Sequence, residues 1–168
     1  MKILILSDSH SAYSFMRLCV DGVRPDVLIH LGDYADDGLA LHEEYPQIPF
    51  YQVPGNCDRY RWNPREPETL APTIGGVRLY LCHGHQHKVK QYLGDLVRTA
   101  RGFGAAAALY GHTHQADCRR EEDGLWVVNP GSCGFYGGSA AVMELAGGRI
   151  QSCRIVTQED LLEKGPQL

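Results

Sequence analysis

The chain has 168 residues, enough for one domain with a substantial core. Hydrophobic residues make up 43% and charged residues 21%, ordinary proportions for a globular protein, and the net charge of −4 gives no strong nucleic-acid signal. The opening MKILILSDSH is apolar only over Ile3–Leu6. That is too short for a signal-peptide core, and no stretch approaches the ~20 apolar residues of a membrane span, so a cytoplasmic location is expected.

KILIL (2–6) is a continuous apolar run, the mark of a strand covered on both faces. Residues 12–23 place Phe15, Leu18 and Cys19 on one helical stripe, and 26–32 and 50–55 read as two further buried strands. Between them, Asp36 and Asp37 are expected to cap a short helix over 38–44. Residues 73–84 read as a hairpin turning at Gly75-Gly76. Residues 88–104 read as an amphipathic helix with Val89, Tyr92, Leu93, Leu96 and Val97 on one face, ended by Gly102 and Gly104. AAAALYG (105–111) is a buried strand of small residues. Two more hairpins follow, turning at Asp123-Gly124 and Gly147-Gly148, and 158–168 closes the single domain as a short helix or tail. Strand–helix units followed by hairpins predict an α/β fold in which two packed sheets are flanked by helices.

Six cysteines (Cys19, Cys57, Cys82, Cys118, Cys133, Cys153) include no CxxC pair, which removes a zinc-finger reading. Free thiols are expected, several of them simply buried.

Polar residues of metal-binding type recur just past the predicted strands: Asp8 and His10, Asp33, Asn56 and Asp58, His83 and His85, His112 and His114. In open α/β sheets the carboxyl ends of the strands meet at one edge, and ligands bind there. A single Asp-x-His could be a helix cap beside a surface histidine, but independent caps have no reason to fall at five successive strand ends. His, Asp and Asn without cysteine suit Mn²⁺, Fe²⁺, Ni²⁺ or Zn²⁺. Asp8, His10, Asp33, Asn56, His83, His112 and His114 are seven candidate ligands, more than one ion with an open position needs. Two ions sharing a carboxylate suit displacement at phosphorus.

The ordered motifs DSH (8–10), GD (32–33), GNCD (55–58), HGH (83–85) and GHTH (111–114), with NPGS (129–132), resemble the calcineurin-like metallophosphoesterases, in particular their small bacterial and archaeal phosphodiesterases. The resemblance implies a two-sheet sandwich flanked by helices and two divalent ions, foremost Mn²⁺. It implies that Asp8, His10 and His114 hold the first ion, that Asp33 bridges, and that Asn56, His83 and His112 hold the second. It further implies a water bridging the ions, acidified toward pKa ~7, whose hydroxide attacks phosphorus in line without a covalent enzyme intermediate. Asn56, Asp58 and His83 then belong to the catalytic set. The implied substrate is a small phosphodiester or nucleotide-like molecule, and a homo-oligomer is compatible with small chains of this kind.

Some roles have two readings. Asp58 is an orienting carboxylate or a turn-former. His85 reaches the substrate or the rim of the site, His87 is expected to be a solvated loop residue, and His30 a hydrogen-bonded core residue. Arg59, Arg61, Lys88 and Lys90 are solvated charges or the lining of a positive mouth, and Trp62 stacks on a base or sits at a subunit contact. Cys57 stands where many superfamily members have histidine. A thiol of pKa ~8.5 replaces imidazole poorly at neutral pH, so Cys57 is expected to pack on the substrate side of the site rather than to catalyse. Rival functions are a catalytically inactive scaffold, as in a eukaryotic trafficking subunit of this fold with a degraded metal site, and a phosphomonoesterase or nucleotide hydrolase.

Overall fold

Strand β1 (Lys2–Leu6) sends Ile3 and Ile5 to one side and Leu4 and Leu6 to the other, all fully buried. This alternation, the period-2 geometry of a strand, divides the molecule into layers. The computed structural model describes residues 1–60 and 62–164; Arg61, named above with Arg59, and the last four residues of the expected C-terminal helix or tail lie outside the described residues. After β1 come α1 (Tyr13–Val23), β2 (Val27–His30), α2 (Ala35–Glu44) and β3 (Phe50–Gln52). The second half adds β4 (Thr69–Leu70), β5 (Thr73–Ile74), β6 (Val77–Cys82), α3 (Gly94–Gly102) and β7 (Ala107–Leu109). It ends with β8 (Asp117–Arg120), β9 (Trp126–Asn129), β10 (Ser139–Ala146), β11 (Arg149–Thr157) and α4 (Gln158–Lys164).

One sheet runs β11-β10-β1-β2-β3, with β1, β2 and β3 parallel and β10 antiparallel to both β1 and β11. The other runs β4-β6-β7-β9-β8, with β6, β7 and β9 parallel and β5 paired to β6. Ile3, Ile5, Ile29, Leu79, Leu81, Leu109, Val128 and Met143 fill the space between the sheets. Leu4, Leu6, Leu28 and Val142 face α1 and α2, while Tyr80, Cys82, Ala108 and Val127 face α3. Each fully buried aliphatic side chain contributes about 1.5–3 kcal/mol. The expected two-sheet sandwich with helices outside is what the chain forms.

The three glycine-containing hairpin turns lie where the sequence places them. Four details differ. β3 stops at Gln52 and, as the edge strand of its sheet, is half-buried rather than buried. The buried stripe of α1 is Phe15, Met16, Cys19, Val20 and Val23, with Leu18 only half-buried at its margin. Asp36 and Asp37 lie in the first turn of α2 rather than before it; Tyr34, in the left-handed region, occupies the cap position. The third helix begins at Gly94, not near 88. Lys88 takes a left-handed conformation after a tight turn over 85–87, so 88–93 are spent in turns. Val89 is nevertheless buried, packed against Gly84, while Tyr92 faces out.

The carboxyl ends of the parallel strands from both sheets meet. Asp8 N–H donates to Gly32 O at 2.9 Å and Gly111 N–H to His83 O at 2.9 Å, joining neighbouring loops within each sheet. Cys133 N–H, in the loop that leads from β9 in one sheet to β10 in the other, donates to Ser7 O at 3.1 Å.

Candidate metal centre

The loops at this junction are held in an unusual backbone state. Of the ten non-glycine residues with positive φ among those described, seven lie here: Asp8, His10, Ser11, Asp33, Tyr34, His112 and His114. Such conformations cost on the order of 1–3 kcal/mol each and collect at functional sites, where surrounding contacts enforce them. Close packing is part of the enforcement. A Cβ on Gly111 would collide with Ser7 Oγ and Asp8 Oδ2, and one on Gly55 would overlap the Asp33 carboxylate.

Asp8 is buried between three histidines. Its Oδ2 accepts from Ser7 Oγ at 2.6 Å and from His112 N–H at 3.0 Å. Its Oδ1 has no hydrogen-bond partner and lies 3.1 Å from His114 Nε2 and 3.9 Å from His83 Nε2. Asp33 Oδ1 is 3.5 Å from the same His83 nitrogen. Two sets of ligand atoms result, Asp8–His10–His114 and Asp8–Asp33–His83, each mutually within 4.8 Å. Asp8 belongs to both.

The tautomer of His83 follows from its other nitrogen. Nδ1 lies 2.8 Å from Leu31 O, so Nδ1–H donates there and Nε2 turns its lone pair toward the carboxylates. A nitrogen lone pair facing carboxylate oxygen at this range repels unless a cation or proton lies between. Buried His10 Nε2 and His83 Nε2 have no hydrogen-bond partner, and buried polar atoms ordinarily have one. The donor set therefore fits divalent ions.

Electrostatics point the same way. Burial works against the charged form of His83, but the carboxylates of Asp33 and Asp8 outweigh it and hold its pKa above the ordinary value. Burial likewise opposes ionisation of Asp33, yet His83 and the Cys57 N–H hold that carboxyl well below the usual range. Both shifts reflect a site that favours positive charge beside its carboxylates. His112 is pushed down to about 4, by burial first and then by His83 and Lys90, so its imidazole is neutral at pH 7.

Asp8, His10, Asp33, His83, His112 and His114 come together as the sequence places them; the ring centroids of His83 and His112 are 5.1 Å apart. Asn56 is exposed one residue beyond, its Nδ2 3.6 Å from Cys57 Sγ. Asp58 is buried with both oxygens on backbone: Oδ1 accepts from Ala35 N–H at 2.8 Å and Oδ2 from Gly55 N–H at 2.7 Å. It ties the GNCD loop to the start of α2.

Cys57 is not a packing residue. It is exposed, its N–H donates to Asp33 Oδ1 at 2.8 Å, and its Sγ donates to Asp33 Oδ2 at 3.3 Å. The turn after Gly55 leaves the residue exposed while its thiol reaches Asp33, a contact that apolar patterning does not encode. His87 is not free in solvent either. Its Nε2 lies 2.8 Å from the hydroxyl of buried Tyr80, because the turn over 85–87 folds it back on α3's side of the sheet. His30 is a hydrogen-bonded core residue: Gly32 N–H donates to its Nδ1 at 3.4 Å and Nε2 lies 3.3 Å from Ser9 Oγ, which reaches Asp33 O.

Sequence reasoning missed the supports. Phe135 stacks on His114 with centroids 4.9 Å apart and meets His10 edge-on at 4.9 Å; Tyr34 covers His10 at 4.8 Å. Ser132 Oγ donates to Asp8 O at 2.7 Å, and Asn129 Nδ2 donates to Gly111 O at 3.0 Å. The NPGS turn was the available signal, since it carries both polar residues past another strand end.

Two packed sheets whose parallel strands end in a shared His/Asp cluster define a metallophosphoesterase-type fold and site. Residues 1–148 match the family described as the calcineurin-like phosphoesterase superfamily domain. A probable metallophosphoesterase of Bacillus subtilis, YsnB, is 31% identical over 135 residues, covering 79% of this chain and 75% of that protein. Phosphodiesterase MJ0936 of Methanocaldococcus jannaschii is 26% identical over 155 residues, covering 81% and 86%. Among solved structures, a predicted phosphoesterase from Streptococcus pneumoniae superposes with TM-score 0.73 at 23% identity, over 94% of this chain and 90% of that one. The Zn²⁺ complex of Vps29 from Entamoeba histolytica gives 0.68 at 19% identity, over 94% and 99%. These two likenesses speak for the fold alone. The chain belongs to the calcineurin-like phosphoesterase superfamily.

Proposed function

We propose that the protein is a two-metal phosphodiesterase acting on a small phosphodiester or nucleotide-like substrate in the cytoplasm. The observation that carries this reading is the buried, unpartnered Oδ1 of Asp8, which faces His83 and His114 and so belongs to two ligand groups at once. The naming of the M. jannaschii relative as a phosphodiesterase supports the ester class. When bound, two divalent ions would supply a water activated for in-line attack at phosphorus and offset charge on the phosphoryl oxygens, with Mn²⁺ proposed and Fe²⁺, Ni²⁺ or Zn²⁺ compatible with the donors.

The chain's own residues do the positioning. Asp8, His10 and His114 form one ligand group; Asp33, Asn56, His83 and His112 form the other, with Asp8 as the shared carboxylate. Leu31 O fixes the ring of His83, and Cys57 N–H fixes Asp33. Asp58 holds the GNCD loop against α2 and acts through that loop. His85, its Nδ1 shielded and unpartnered, is neutral at pH 7 because burial and then His83 lower its pKa, and it can hydrogen-bond an ester oxygen.

The test is metal analysis together with a panel of diesters, monoesters and nucleotides under added Mn²⁺. Asp33→Ala is expected to lose metal and diester hydrolysis together. Full activity after complete chelation overturns the two-metal reading. A preference for monoesters transfers the protein to phosphomonoesterase activity, and no hydrolysis with any divalent ion revives the scaffold reading.

A further inference from the structure

Two cavities include residues of the candidate metal centre, and they differ in chemistry. One, of about 660 Å³, is lined by His10, Ser11, Tyr34, Cys57 and the acidic pair Asp36 and Asp37. The other, of about 560 Å³, is lined by Asn56, Arg59, Trp62, Pro64, Glu68 and His85, with Pro54 at its base. Both volumes fall within the roughly 300–1,000 Å³ of small-molecule sites. A diester has two arms, and the two cavities offer them different surroundings.

The second cavity begins at the centre itself, since the His85 ring lies 5.5 Å from that of His83 and 6.1 Å from that of His112. Its walls combine the indole of Trp62 with two proline rings. Among the described residues of the lining, Arg59 and Glu68 contribute one charge of each sign. Gln86 Nε2 donates to Glu68 at 3.4 Å, while Arg59 and Asn56 are exposed donors of the lining. His85 Nδ1 and Trp62 Nε1 are both shielded and have no hydrogen-bond partner. A lining that combines an indole and two proline rings with several hydrogen-bonding groups suits a planar heteroaromatic ring better than an alkyl chain or a second phosphate.

We propose that this cavity is a subsite for the planar heteroaromatic group on one ester arm of the substrate, as on a nucleoside phosphate, with Trp62 as its main determinant of specificity. The inference rests on the reading of the neighbouring centre as a phosphoester site.

The test uses binding rather than turnover. The Mn²⁺-loaded protein is titrated calorimetrically with thymidine 5′-monophosphate and, separately, with inorganic phosphate, which shares the phosphoryl group but has no ring. The nucleotide is expected to bind more tightly than phosphate. Trp62→Ala is expected to weaken nucleotide binding about tenfold, in line with base–aromatic stacking, and to leave phosphate binding unchanged, while Trp62→Phe retains most of the nucleotide affinity. Equal weakening of both ligands, an unaffected nucleotide affinity, or no preference for the nucleotide in the parent protein overturns the subsite. A protein that shows the Trp62-dependent preference yet hydrolyses no ester keeps the subsite and loses the proposed activity instead.

Discussion

The backbone N–H of His112 donates to Asp8 Oδ2 at 3.0 Å although the two residues are 104 positions apart in the chain. Asp8 follows β1 in one sheet and His112 follows β7 in the other, so this bond joins the two sheets at the metal centre. One oxygen of Asp8 is thus spent on the fold and the other is left for a cation.

That division predicts the behaviour of Asp8→Asn. The amide keeps the shape and a carbonyl oxygen but removes the charge. Metal affinity is expected to fall by more than the roughly 10–100-fold that loss of a supporting partner costs. Calorimetric Mn²⁺ titration measures it; affinity within about twofold of the parent would show that Asp8 is not a ligand.

Ser132 tests the support from the NPGS turn. Its hydroxyl donates to Asp8 O at 2.7 Å and accepts from Gly134 N–H and Phe135 N–H, each at 3.1 Å. Ser132→Ala is expected to cost about 1–3 kcal/mol in urea unfolding, and to weaken metal binding through Asp8 and the Phe135 wall on His114. Unchanged stability and metal affinity would remove the turn from the account.

Gly111→Ala isolates close approach from backbone strain. Gly111 is absent from the positive-φ residues, so alanine fits its backbone, but the added methyl meets Ser7 and Asp8. A loss of about 1–3 kcal/mol is expected, with a matching loss of metal. A variant as stable and as metal-loaded as the parent would show that the loops can separate freely.

Cys57 gives a reactivity prediction. Burial and then the Asp33 carboxylate raise its pKa to about 11 despite its exposed position. In chelator-treated protein at pH 8 its alkylation by iodoacetamide is expected to be on the order of 100-fold slower than that of an ordinary thiol, because the thiolate reacts. Cys57→Ala is expected to retain most diester hydrolysis, since the N–H that holds Asp33 is on the backbone. Rapid alkylation, or complete loss of turnover with both metals retained, contradicts this placement.

His30 sets a pH dependence of stability. Burial lowers its pKa to about 4 from 6.5, with nearby carboxylates of Asp58 and Asp8 opposing. Between these values the unfolded chain binds a proton and the folded one does not, so stability is complete above about 6.5 and falls as pH drops toward 4. The loss attributable to His30 is on the order of 3 kcal/mol. Urea unfolding of metal-free parent and His30→Asn at pH 7, 5.5 and 4 checks it; identical pH profiles would show that His30 does not titrate in this window.

The strands were legible because their signal is local. KILIL and AAAALYG are apolar runs too short for helices, and glycine pairs mark the hairpin turns. The third helix starts later than its apolar spacing suggests, because that spacing continues upstream through Val89 and Tyr92 while the chain turns at Lys88 in a left-handed conformation. Cys57 differs for a related reason: small size suggests packing, but its partner is Asp33, 24 positions away, in a contact no local pattern encodes.

By itself the sequence determined the strand order of the motifs, the ligand types and the class of ion they suit, because each depends on residue identity next to a strand end. The tertiary structure alone decided that Asp8 belongs to both ligand groups, that Phe135 and Ser132 brace the centre, and that Trp62 and His85 line one cavity. These depend on how two separately hydrogen-bonded sheets pack face to face. Their long-range contacts arise from burying Ile3, Ile5, Leu79, Leu81 and Leu109 against one another, and no periodicity within a single segment encodes them.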